Sequence, residues 1–306
     1  MPSPPPGFEE RVVDAGGVRF AVECTGPADG PLVLMLHGFP DTRHSWRPLA
    51  RRLAEAGCRV ACPAMRGYAP TGPAADGRYT TAALGEDAVA LRHALAGDGA
   101  AAVIGHDWGA GAVYEALSAT PGAFACAVAM SVPLLAAGGL DVATFGQMRR
   151  SFYSFVLQLP DAEAIVRRDG LRLIDELWRD WSPGLAAPAA IAAVREALEP
   201  EGCLAAAIAY YRQNPSALVP PAAVAGRLAL AHAITTPLLY LHGADDGCMG
   251  LDVLDQARST YPAGTRIAVL PDAGHFLQLE QPDVVADLVI PFLHRHVAPG
   301  PGARNA

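Results

Sequence analysis

Apolar residues along this chain gather in short runs that end on glycine, proline or a small polar residue. The clearest are PLVLMLHG (31–38), CRVACPA (58–64), AAAVIGH (100–106), FACAVAMS (124–131), PLLYLHG (237–243) and TRIAVLP (265–271). Runs this short and this continuously apolar predict strands covered on both faces, as in a parallel sheet. Between them lie stretches with helical spacing of apolar positions: SWRPLARRLAEAG, TTAALGEDAVALRHALAG, GAVYEALSATP and DVLDQARSTYP. Strand and helix alternate, which predicts an α/β fold with a mostly parallel central sheet and helices on both faces. The alternation breaks between residues 134 and 233. There TFGQMRRSFYSFVLQLP, AEAIVRRDG, LRLIDELWRDW and AAIAAVREALEPEGCLAAAIAYYRQNP all read as helical, punctuated by Pro and Gly. That pattern predicts a helical cap inserted between two strands of one sheet. The expected domains are a first core part over 1–133, the cap over 134–233 and a second core part over 234–306. The ends MPSPPPG and APGPGARNA read as frayed.

A length of 306 residues exceeds the size at which single cores usually stop growing, which suits a core with an insertion. Against 31 acidic residues stand 23 basic ones, a net charge of −8. A nucleic-acid or anionic-membrane partner would want a basic stripe, so neither is expected. The six cysteines, at 24, 58, 62, 126, 203 and 248, form no C-x-x-C pair and read as free thiols in a reducing cytoplasm. The start MPSPPPGFEE has neither a basic region nor an apolar run, so it does not read as a signal peptide. Ala116 to Leu140 is uncharged and long enough for a membrane span, but Pro121, Gly122, Pro133, Gly138 and Gly139 interrupt it. A helix end, a strand and a loop are expected there instead. No His/Cys/Asp spacing suggests zinc and no phosphate-binding loop appears, so no metal and no cofactor is expected.

Candidate chemistry collects where the predicted strands end. GHDWG (105–109) follows one strand and opens a helix, the G-x-Nu-x-G pattern of a nucleophile elbow, with Asp107 at its centre. Taken alone, the same residue also reads as an aspartate capping the helix. It is accompanied by HGFPD (37–41), by LHGADDG with Asp245 and Asp246, and by DAGHFLQLEQP with His275. The order nucleophile, acid, histidine is that of an α/β-hydrolase. His37 and His106, which flank these loops, are expected to hold loop shape by hydrogen bonding, and His294 and His296 to be solvated.

Over almost its whole length the chain resembles the α/β-hydrolase superfamily. Within it, HGFPDTRHSW, RGYAPTG, GHDWGA and GHF resemble the soluble epoxide hydrolases and their haloalkane dehalogenase relatives, as does Asp in place of Ser at the elbow. The resemblance implies an α/β-hydrolase fold with a helical cap, and addition of water to a small apolar epoxide, giving a vicinal diol through a covalent Asp ester. Asp107 would be the nucleophile, since a carboxylate is already ionised at neutral pH. His275 would be the general base, with Asp246 orienting it and Asp245 as the alternative. Phe39 and Trp108 would supply the oxyanion N–H groups. FYSFVLQLPDAE and AYYRQNP resemble the cap segments that hold the two tyrosines gripping the epoxide oxygen, which fall on Tyr153 and Tyr211; Tyr210 stands where the family often has tryptophan. Ala69 replaces a common second glycine. Two alternatives stay open. A haloalkane dehalogenase would use Trp108 with Trp178 or Trp181 as halide donors, although Phe39 stands where many such enzymes have Asn. The other is a non-catalytic ligand-binding protein on the same scaffold. The partners implied are the epoxide and water, and a homodimer is left open.

Overall fold

The computed structural model describes residues 5–134, 144–214, 231 and 233–297. Eight strands form one sheet: β1 (Glu9–Ala15), β2 (Val18–Thr25), β3 (Leu32–Leu36), β4 (Arg59–Pro63), β5 (Ala101–His106), β6 (Cys126–Met130), β7 (Leu238–Gly243) and β8 (Arg266–Leu270). Their order is β1-β2-β4-β3-β5-β6-β7-β8. Strands β3 to β8 pair in parallel, and β2 runs antiparallel to both β1 and β4. The six parallel strands are the six apolar runs, trimmed by at most two residues at either end.

The β1–β2 hairpin was not among the predicted elements. Its first strand, EERVVDA, is an exposed edge with polar residues outward, so it shows no continuous apolar run. The signal lay in its turn. Gly16 and Gly17 both take positive φ, +56° and +82°, as a two-residue hairpin turn requires.

Helices cover both faces. Leu32, Leu34 and Leu36 of β3 face α2 (Thr81–Ala96) and α3 (Trp108–Ala119), while Val33 and Met35 face α1 (Arg47–Glu55) and the C-terminal helix over Pro282–His296. That last helix was also missed: Pro291 inside it disguises its apolar face of Val285, Ala286, Val289, Phe292 and Leu293. Between β6 and β7 lie α4 (Phe145–Arg150), α5 (Phe152–Val156), α6 (Ala162–Trp181), α7 (Pro188–Leu198) and α8 (Cys203–Gln213). The expected split at Gly170 appears as a break within α6, where Asp169, Gly170 and Leu171 have φ of +51°, +67° and +64°. The run expected over 189–215 divides into α7 and α8. The expected cap also takes in 135–143, 215–230 and 232, which lie outside the described residues, as do the ends 1–4 and 298–306. Within Ala116 to Leu140 stand the end of α3 and all of β6, and among the described residues no helix is long and apolar enough to cross a membrane. The chain closes with α9 (Leu251–Ala257), α10 (Leu277–Glu280) and α11 (Pro282–His296).

Glycine sets how closely α3 crosses the sheet. A Cβ on Gly105 would stand 2.1 Å from the Gly109 carbonyl oxygen, and one on Gly109 would stand 2.1 Å from that of Leu36. Both obstacles are backbone, so neither can swing aside. Gly105→Ala is expected to destabilise the fold by about 2–3 kcal/mol through forced backbone displacement, read as a lower urea midpoint at unchanged slope. An unchanged midpoint would mean that the crossing opens freely.

Candidate active site

Asp107 stands in the turn between β5 and α3 with φ +54° and ψ −117°. A non-glycine residue in that region costs on the order of 1–3 kcal/mol and persists only where its surroundings impose it. Here the imposing groups are backbone: Asp107 N–H donates to the Met130 carbonyl at 3.2 Å, and the Asp107 carbonyl accepts from Ala110 N–H at 2.9 Å. The side chain makes no capping bond to α3, so the capping alternative finds no support. Its Oδ1 instead accepts the Phe39 N–H at 2.7 Å. Gly38 permits this approach, since a Cβ there would lie 2.2 Å from Oδ1. Burial raises the carboxyl's proton affinity above the usual value, while His275 and the N–H groups of Phe39 and Trp108 pull it back.

His275 stands in the loop after β8, with Nε2 3.8 Å from Asp107 Oδ2 and Nδ1 3.0 Å from Asp246 Oδ2. The carboxylate on Nδ1 assigns the proton there, leaving the Nε2 lone pair toward Asp107. Nε2 is buried and has no hydrogen-bond partner. Asp246 is itself held, its Oδ1 accepting the N–H groups of Cys248 and Met249 at 2.7 and 2.9 Å. Asp245 is exposed, so of the two aspartates it is Asp246 that meets the histidine. Burial alone would lower the pKa of His275, but Asp246 and then Asp107 outweigh it and the net shift is upward.

The cap lowers its two tyrosines toward this pair. Tyr153 of α5 and Tyr211 of α8 meet edge to face with ring centroids 5.6 Å apart, and Tyr211 packs likewise on Trp108 at 5.0 Å and Phe39 at 5.2 Å. Trp181 closes the other side, 5.0 Å from the His275 ring and 4.8 Å from Tyr153. Burial holds both phenols well above their ordinary pKa, so each remains a neutral O–H donor. The adjacent Tyr210 is turned away, its hydroxyl donating to the Arg66 carbonyl at 2.7 Å. Of the halide donors weighed above, Trp178 is committed: its Nε1–H donates to the Pro40 carbonyl at 2.8 Å and its ring stacks on Phe276. Trp108 Nε1 is buried without a partner.

Several residues were not singled out by sequence pattern. Cys248 places Sγ 3.4 Å from the Tyr153 hydroxyl. With Asp246 and His275 it brings three metal-capable donor atoms within 4.8 Å of one another, although the Asp–His pair already occupies two of them. Asp41, the last residue of HGFPD, is buried and accepts from Thr42 N–H and Ser45 Oγ; burial pushes its pKa up to about 7, and the charge of Asp107 adds to the shift. His37 donates to the Gly38 carbonyl and accepts from Met65 N–H, and His106 donates to the His275 carbonyl at 2.9 Å, the loop-holding roles expected of them. His294 is exposed, with Nε2 on the Ala56 carbonyl, and His296 is half-buried. Asp246→Asn removes the strongest charge favouring imidazolium. It is expected to lower the His275 proton affinity about tenfold or more, followed by NMR titration of the ring; an unmoved titration would show that the pair is not electrostatically coupled.

The sequence profile of the alpha/beta hydrolase fold matches residues 31–282. The chain is 28% identical over 292 residues to the AB hydrolase superfamily protein YfhM of Bacillus subtilis, covering 94% of this chain and 98% of that one. It is 30% identical over 319 residues to an epoxide hydrolase of Caballeronia sordidicola, covering 94% of each. Among solved structures, the epoxide hydrolase from an endophytic Streptomyces superposes with a TM-score of 0.72 at 31% identity, covering 94% of this chain and 96% of that one. With its elbow, its mostly parallel sheet and these relatives, the chain belongs to the alpha/beta hydrolase fold family.

Proposed function

We propose that the chain is an epoxide hydrolase that opens an oxirane to a vicinal diol through an ester on Asp107. The observation that carries this reading is the stacking order of the site. A carboxylate held by backbone N–H lies beside a histidine with a free Nε2, and the rings of two neutral tyrosines pack on each other and on the Phe39 and Trp108 rings next to it. The epoxide relatives described above support it.

In the first half, Tyr153 and Tyr211 hydrogen-bond the oxirane oxygen while Asp107 Oδ2 attacks a ring carbon. The C–O bond breaks, the oxygen takes a phenolic proton, and solvent later restores it. This is positioned acid assistance to an alkoxide that water alone would stabilise poorly. In the second half, His275 Nε2 accepts a proton from water as its oxygen adds to the Asp107 carboxyl carbon. The N–H groups of Phe39 and Trp108 hold the resulting oxyanion. Collapse releases the diol, which takes the proton back from His275, and Asp107 gives its remaining proton to solvent to restore the carboxylate. An apolar epoxide suits the aromatic walls of Phe39, Trp108, Tyr153, Trp181 and Tyr211. The haloalkane dehalogenase alternative loses Trp178 as a donor. All six cysteines are free thiols, in keeping with a reducing cytoplasm as the place of action.

Single-turnover hydrolysis of styrene oxide in H2(18)O should yield diol whose new oxygen is unlabelled, because it leaves from Asp107; complete labelling would sink the ester mechanism. Tyr153→Phe with Tyr211→Phe should lower kcat/KM by about 10²–10⁴, and unchanged diol formation would remove the tyrosines from the chemistry. Turnover should fall as pH drops and His275 gains its proton. Esterification removes the Asp107 charge that helps raise the histidine's pKa. The acid limb of kcat should therefore lie at lower pH than the imidazole titration of the free enzyme; coincidence of the two would argue against an ester at Asp107.

A further inference from the structure

The loop carrying His275 belongs to no strand or helix at residues 274–276, yet its N–H groups are all taken. Gly274 N–H donates to Glu280 Oε2 at 2.9 Å, His275 N–H to the Trp181 carbonyl at 2.9 Å, and Phe276 N–H to Ser182 Oγ at 3.0 Å. The Ser182 hydroxyl in turn donates a hydrogen bond to Glu280 Oε1 at 2.7 Å. Two of the three acceptors thus sit at the C-terminal end of α6, in the cap, and the third is braced by it. The Trp181 carbonyl also accepts Gly247 N–H at 3.1 Å, one residue from Asp246. The end of α6 therefore reaches both the acid loop and the base loop. It fits between them because a Cβ on Gly247 would lie 1.9 Å from the Asp180 carbonyl oxygen and one on Gly274 would lie 2.6 Å from Ser182 Cα. Carbonyls that a helix end leaves for water or side chains are spent here on catalytic loops.

We propose that Ser182 and Glu280 form a clasp that positions His275 for the hydrolytic half of the reaction, which makes the end of α6 part of the mount of the general base. The proposal rests on the epoxide hydrolase reading and extends it. Among the described residues, no hydrogen bond joins Ser182 or Glu280 to Asp107, Tyr153 or Tyr211. The attacking carboxylate is held separately, by the Phe39 N–H, and its backbone by the Met130 carbonyl and the Ala110 N–H. Loss of the clasp therefore spares attack on the epoxide and slows release of the diol. Ser182 and Glu280 are positioning residues: they act through the histidine loop and touch no reacting atom.

The test separates the two half-reactions. Styrene oxide is mixed with the parent chain and with Ser182→Ala, Glu280→Ala and Glu280→Gln, and the ester on Asp107 is followed by rapid quench and mass spectrometry. A small misplacement of a catalytic group costs up to about 100-fold, so ester hydrolysis should slow about 10- to 100-fold in the two alanine variants while ester formation stays within about twofold of the parent. The ester then accumulates. Glu280→Gln keeps an oxygen for the Gly274 N–H and should recover part of the loss. Equal slowing of both steps would mean general loosening of the fold and would overturn the clasp, as would unchanged hydrolysis. Absence of any ester from the parent chain would overturn the epoxide hydrolase reading itself, and the assignment of the clasp to ester hydrolysis with it.

Discussion

The structure depends on keeping one buried negative charge tolerable. Asp107 is removed from water, which by itself favours its neutral form. What opposes this is His275 first and then backbone: the Phe39 N–H at 2.7 Å and that of Trp108 at the start of α3. Backbone donors cannot be protonated away and do not rotate, so the charge is stabilised without being neutralised as an arginine would neutralise it. The same N–H groups face the carbonyl oxygen once the carboxylate has become an ester. The arrangement that makes the side chain reactive in the first half of the proposed mechanism makes it cleavable in the second.

Much of this was legible in the chain. Six parallel strands announce themselves because burial on both faces removes any need for polar alternation, and their ends carry Asp107, Asp246 and His275 in the order the family uses. Asp246 was preferred over Asp245 only through its spacing from Gly243 and the family pattern, because adjacent residues otherwise differ only in which way the loop turns them. The β1–β2 hairpin escaped because an edge strand exposed on one side, with polar residues outward, reads like loop apart from its Gly16–Gly17 turn. The contacts of Ser182 and Glu280 escaped for a different reason. Hydrogen bonds from the end of a cap helix to a loop nearly a hundred residues later leave no periodic trace in sequence.

Cap and core share this site more closely than an inserted helical segment suggests. Tyr153 and Tyr211 come from two cap helices, yet Tyr211 packs on the aromatic rings of the two residues whose N–H groups serve Asp107. Gln147 of α4 donates to the Cys248 carbonyl and accepts from Gly250 N–H, tying another cap helix to the loop of the orienting acid. Tyr153 in turn meets the Cys248 thiol. The acid loop is thereby supported from the cap on two sides.

The glycine-only crossing of α3 over β5 and β3 has a consequence for how such a protein can change. The shape of the turn is set by what Gly105 and Gly109 lack, and by the carbonyls they allow to approach; the central side chain makes no capping bond to α3. Position 107 is therefore an interchangeable socket. A hydroxyl or thiol placed there would inherit the same buried position, the same donors and the same histidine, so the scaffold separates its architecture from its choice of reactive group.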